Sequence, residues 1–89
     1  MQETKRWNIV VEIDEDDGRT RAIARLESDR SDQLVGAGTA RCNPDDRDVP
    51  QIGDELALAR ALSELSHCLL DAAAQDIEGV THQPAHLRL

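Results

Sequence analysis

Apolar and polar side chains alternate from Trp7 to Asp14: Trp7, Ile9, Val11 and Ile13 fall on one side, and Asn8, Glu12 and Asp14 on the other. A period of two is the mark of a half-buried strand, here predicted over 7–14. Val10 departs from it by setting an apolar group among the polar ones. The run Glu15-Asp16-Asp17-Gly18 follows, and its Asp-Gly pair suits the positive backbone dihedrals of a tight hairpin. A second strand is predicted over 19–27, with Ala22, Ala24 and Leu26 on one face and Arg19, Arg21, Ile23 and Arg25 on the other. Ser28 to Asp32 reads as a polar connection. A third strand over 33–42 sets Leu34, Gly36, Gly38 and Ala40 opposite Val35, Ala37, Thr39 and Arg41. Its glycines suggest a bulge or the close approach of a helix.

The period then changes. Leu58, Leu62, Leu65, Leu69 and Ala72 or Ala73 recur at spacings of three and four, the stripe of an amphipathic helix. That helix is predicted over 54–78, with Asp54 and Glu55 at the positive end of its dipole and Gly79 as its stop. Before it, 43–53 holds Pro44, Pro50 and three aspartates and reads as a loop. After it, Pro84 turns 79–89 into a short tail. Together the elements define a single α+β domain over 1–89, a three-stranded antiparallel meander followed by one long amphipathic helix (β-β-β-α). The leucine stripe is expected to cover Trp7, Ile9, Val11, Ile13, Ala22, Ala24, Leu26 and Leu34, with Gly36, Gly38 and Ala40 letting the helix approach. Opposite the stripe, Arg60, Glu64, His67, Asp71 and Gln75 form a face expected to be solvated, Arg60/Glu64 and His67/Asp71 lying one turn apart.

Composition narrows the functional classes. A chain of 89 residues buries only roughly 60 to 65% of the surface its unfolded form exposes, so association with a second chain would help it. Trp7 is the sole aromatic residue, which removes the stacking platform on which single-stranded nucleic acids are bound. Eighteen acidic residues against ten basic ones give a net charge of −8, which opposes a nucleic-acid backbone. Nine of the ten basic residues are arginine, a skew that suits fork-shaped pairing with carboxylates and that a GC-rich coding sequence would also produce. The N-terminal segment lacks the apolar run of a signal peptide, and no window approaches a membrane span, so a cytoplasmic protein with no membrane partner is expected. Cys42 and Cys68 lack redox or zinc spacing and are expected to be reduced thiols.

Candidate chemistry is sparse, and no cofactor is expected. His82 and His86, with His67 or the two cysteines, are conceivable metal ligands, but Pro84 keeps the first pair off a shared helical face. Asp45, Asp46 and Asp48 lack the glycine and distal glutamate of a calcium loop. Ser66, His67 and Cys68 are consecutive on a helix and so diverge rather than form a nucleophile–base pair. Gly36 and Gly38 lie inside a strand pattern rather than in a phosphate loop. The more telling surface is the outer sheet face. Val10, Ile23, Val35 and Ala37 make an apolar patch there, ringed by Arg19, Arg21, Arg25, Arg41, Glu12 and Glu27, and such patches mark interfaces. Val10, Arg21, Ile23, Arg25, Val35 and Arg41 are therefore the candidate interface of a homodimer.

The segments NPDDRDVPQIGDELALARALSEL, TRAIARL, LVGAGTAR and DIEGVTHQP resemble the signature segments of a small actinobacterial family of unknown function, of the DUF 1876 type. The likeness spans nearly the whole chain, with Asn43-Pro44, Ile52-Gly53-Asp54-Glu55-Leu56, Ala59-Arg60-Ala61-Leu62 and Thr81-His82-Gln83-Pro84 in order. It implies a β-β-β-α homodimer, expression in hypoxia or dormancy, no enzymatic activity, and a fold likened to ribosome hibernation promoting factors. The expectation is a non-enzymatic protein acting on another macromolecule, the ribosome among them by analogy of fold. The alternative is an enzyme or metal-binding module using the Asp45–Asp48 loop and the tail histidines.

Overall fold

In the computed structural model, which describes residues 2–28, 33–43, 45 and 47–89, the N-terminal alternation becomes strand β1 (Asn8–Asp16), followed by β2 (Arg19–Glu27), β3 (Leu34–Arg41) and helix α1 (Pro50–Thr81). Asp17 and Gly18 take φ of 52° and 74°. Two successive positive dihedrals are what a two-residue hairpin turn needs, because they match the twist of the flanking strands. The turn sets the register, with Asp16 opposite Arg19 and Asn8 opposite Glu27. β3 pairs antiparallel with β2, Arg19 facing Arg41 and Leu26 facing Leu34, so β2 is central. The backbone N–H of Cys42 donates to the Gly18 carbonyl at 2.8 Å and ties the end of β3 to the turn. The polar connection expected at 28–32 lies, after Ser28, outside the described residues.

The helix starts at Pro50 rather than Asp54. Proline suits the first helical position, where its missing N–H has no intrahelical partner to lose, so the residue that reads as loop punctuation opens the helix. Asp54 and Glu55 consequently lie in the second turn, and the first turn holds no acidic residue. At the other end the helix runs through Gly79 to Thr81. Gly79 has open space around its Cα, and the chain turns at His82, which takes φ of 58° and donates its N–H to the Glu78 carbonyl at 2.8 Å.

The buried face of α1 is Ala57, Ala61, Leu65 and Ala72. It packs on Ala22, Ala24, Leu26 and Ala40, with Val11, Leu34 and Leu69 half-buried around it. The expected leucine stripe is therefore corrected in phase: Leu65 is central, Leu58 and Leu69 lie at its margin, and Leu62 is 37% exposed. The reason is in β3. A methyl group at Gly36 would stand 2.3 Å from the Ala61 carbonyl oxygen, and one at Gly38 would stand 2.3 Å from that of Ala57. Helix backbone thus rests on strand backbone, a seam that requires glycine on the strand side, and the seam draws the helix over β3 and β2. Trp7, Ile9 and Ile13, expected beneath the helix, stay 53%, 47% and 39% exposed.

Candidate functional site

The six residues proposed from the sequence share the outer sheet face, and the strand register arranges them in rows. Val10, Arg25 and Val35 lie side by side across the sheet, then Glu12, Ile23 and Ala37, then Asp14, Arg21 and Thr39, and last Asp16, Arg19 and Arg41. β1 therefore presents carboxylates on this face while β2 presents arginines, a consequence of opposite charges placed directly across a ladder. The Arg25 guanidinium meets Glu12 at 2.9 Å. Both side chains are exposed, so the pair contributes at most about 1 kcal/mol. Val10 and Val35 are exposed and Ile23 is half-buried, which leaves an apolar patch of modest size.

The two edges of the sheet differ more sharply than its two faces. Along the free edge of β3, the Ala37 N–H donates to Glu64 Oε2 at 2.8 Å, Arg60 Nη1 donates to the Thr39 carbonyl at 2.7 Å, and Cys68 Sγ lies 3.8 Å from the Val35 carbonyl oxygen. The helix face expected to be merely solvated thus caps an edge strand. Among the described residues no side chain does the same for β1, whose outward backbone groups stay open. On the helix side of that open edge lies the apolar strip of Trp7, Ile9, Ile13 and Leu62.

A cavity of about 430 Å³ sits where the hairpin turn, the end of β3 and the start of α1 converge. Thr20, Arg41, Arg47 and Gly53 are among its lining residues, together with Glu15 and Asp48. Of the loop carboxylates singled out from the sequence, Asp46 lies outside the described residues, while Asp48 lies beside the first turn of α1. His82 closes the far end of the same helix, and 32 residues at 1.5 Å each span roughly 48 Å. The loop and the tail histidines therefore do not form one site, which corrects the alternative reading that combined them. Among the described residues no three histidine, cysteine or carboxylate groups cluster to hold a metal.

Ser66, His67 and Cys68 diverge as the helix requires. Ser66 donates to the Leu62 carbonyl at 2.9 Å, Cys68 turns to β3 and His67 is exposed. Among the described residues no helix is long and apolar enough to cross a membrane.

A family model described as Rv2632c-like matches residues 5–86. The chain belongs to the Rv2632c-like family. The Rv2632c-like match takes in all three strands and the helix, so the expected likeness to a family of uncharacterized proteins along nearly the whole chain is borne out, with Rv2632c-like as the family's description. Among its relatives, the uncharacterized protein Rv2632c of Mycobacterium tuberculosis is 55% identical over 80 residues, covering 90% of this chain and 85% of that protein. The uncharacterized protein Mb1767 of Mycobacterium bovis is 55% identical over 83 residues, covering 93% and 87%. The crystal structure of Rv2632c matches with a TM-score of 0.84 at 53% identity, over 93% of this chain and 98% of that one. The β-β-β-α architecture is thus shared with a solved member of the Rv2632c-like family.

Proposed function

We propose that this protein is a non-enzymatic cytoplasmic binding protein that works as a homodimer, in which two copies of β1 pair antiparallel and join their three-stranded sheets into one. The carrying observation is the open edge of β1 beside an uncovered apolar strip. An unpaired strand edge is a template for a further strand, and an isologous pair needs a surface complementary to itself. The segment around β1 meets that need. With Val10 opposite Val10 of the second copy, Ile9 faces Val11, Trp7 faces Ile13, Arg6 faces Asp14 and Lys5 faces Glu15. Pairing at this register keeps Trp7, Ile9, Val11 and Ile13 of both strands on the helix side, leaves the two Val10 side chains together on the outer face, and sets the two basic residues against two carboxylates.

The resemblance to hibernation factors adds the ribosome as the macromolecular partner, and dormancy as the setting, of this reading. A net charge of −8 opposes ribosomal RNA phosphates, so such a contact is expected to run through ribosomal protein.

Light scattering on charge-reversed variants tests the dimer. Wild type is expected to be dimeric at micromolar concentration. Lys5→Glu/Arg6→Glu and Asp14→Lys/Glu15→Lys are each expected to be monomeric, and their equimolar mixture to recover a heterodimer. A monomeric wild type would overturn the proposal. So would double variants that dimerise as wild type does, and dissociation by Ile23→Asp alone would move the interface to the outer sheet face.

A further inference from the structure

The start of α1 is electrically unfinished. Val49 occupies the cap position without a side-chain hydrogen bond, and Pro50 and the absence of first-turn acids leave the positive end of a 32-residue helix without a counter-charge of its own. Val49 stands where Ser, Thr, Asp or Asn would normally accept the orphan N–H groups. By itself such an end is common. What sets this one apart is Thr20, a buried polar residue of the core, 4% exposed. Its hydroxyl makes no hydrogen bond with any described residue. Its oxygen is nonetheless not sealed from solvent, and it opens into the cavity that it lines with the helix start.

Glycine keeps that opening clear. A Cβ on Gly53 would stand 2.8 Å from Thr20 Oγ1, so any larger residue would fill the space between the hydroxyl and the first helical turn. Arg41 and Arg47 line the same cavity, and among the described residues neither guanidinium is engaged in an ion pair. The donors available around this opening are thus one hydroxyl and two forked cations, Arg41 from the outer-face side of the rim. In the first turn only the Gln51 N–H stays free, because Pro50 has none and Ile52 donates to the Val49 carbonyl at 3.0 Å. Arginine forks and helix N-termini both match phosphate geometry. Ala40, Ile52 and Leu56 supply an apolar wall beside them, and the volume of about 430 Å³ lies in the range of small-molecule sites. Glu15 and Asp48 also line the cavity, which disfavours a bare polyanion.

We infer that this cavity binds a small phosphomonoester, its phosphate seated between the start of α1, Thr20 and the two arginines and its remainder lying on the apolar wall. The inference does not rest on the dimer: none of Thr20, Arg41, Arg47 and Gly53 lies on β1, and Glu15 is the one lining residue that the proposed dimer contact also uses.

Titration of the isotopically labelled full chain with inorganic phosphate, and separately with phenyl phosphate, tests it by backbone amide shifts. Saturable shifts are expected at Thr20, Gln51 and Gly53, with phenyl phosphate the tighter ligand because the wall receives its ring. Arg41→Gln and Arg47→Gln, both at exposed positions, are expected to weaken binding about tenfold each, since each removes one charge-assisted contact. Gly53→Ala is expected to abolish binding while leaving the amide spectrum of the strands in place. Asp48→Asn is expected to strengthen it. Absence of saturable shifts up to about 10 mM of either ligand would overturn the inference, as would equal affinity in Gly53→Ala. Tighter binding of magnesium or calcium than of either phosphate, lost in Asp48→Asn, would overturn it in favour of a cation site.

Discussion

The sheet has two edges, and they are finished in opposite ways. β3 lies under the helix, its free backbone groups held by Glu64 and Arg60 from one turn to the next. β1 has no side-chain caps among the described residues and only Val11 of it packs partly under the helix, so its helix-side residues Ile9 and Ile13 remain exposed. One choice of small residues produces both outcomes. Gly36 and Gly38 admit the helix so closely that its axis settles over β3, and a single helix displaced to one side cannot also shield the other. Closure at one edge is therefore obtained by leaving the opposite edge open, and a protein with one open edge can pair once without growing into a fibre.

The largest expected effect comes from breaking the seam. In Gly38→Ala the new methyl would stand 2.3 Å from the Ala57 carbonyl oxygen and 2.4 Å from the Ala61 nitrogen, both backbone atoms that cannot move aside as a side chain would. A loss of about 3 kcal/mol or more is expected, a large share of the stability of so small a domain. Urea denaturation measures it, and an unchanged midpoint would show that the helix is not seated there.

Removing the caps on β3 sharpens the comparison at smaller magnitude. Glu64→Ala is expected to cost about 1 kcal/mol, the net worth of one hydrogen bond, and to make β3 an additional pairing site. Sedimentation velocity should then show species larger than those of the wild type. Identical sedimentation would mean that the helix alone, without its side-chain bonds, guards that edge.

Smallest is the effect of Glu12→Gln, which removes the ion pair with Arg25 on the outer face. With both groups exposed, thermal stability is expected to change by less than about 1 kcal/mol. A larger loss would show that the charged rows of β1 and β2 help hold the open strand to the sheet.

Legibility followed the range of the interactions. The hairpin was readable because alternation and Asp17-Gly18 are local, and the six outer-face residues came to one face because a period of two fixes which side each occupies. The helix start was hidden because Pro50 carries two meanings, loop breaker and first helical residue. The stripe was misphased because apolar pattern weights leucine above alanine, whereas the helix face lying on the sheet is Ala57, Ala61, Leu65 and Ala72, with a single leucine. Edge capping joins Ala37 to Glu64 across 27 positions, and the cavity gathers Thr20, Arg41 and Gly53 from three elements. No spacing rule connects residues that meet only after the chain has folded.

Trp7 turns the open edge into an optical property. It is the only tryptophan, in a chain without tyrosine or phenylalanine, and it stands 53% exposed just ahead of β1 rather than in the core. Ultraviolet absorption and fluorescence therefore view the molecule from one margin. They report what arrives at that margin and little of whether the alanine seam beneath the helix is intact, so the emission of this protein is a gauge of company rather than of folding.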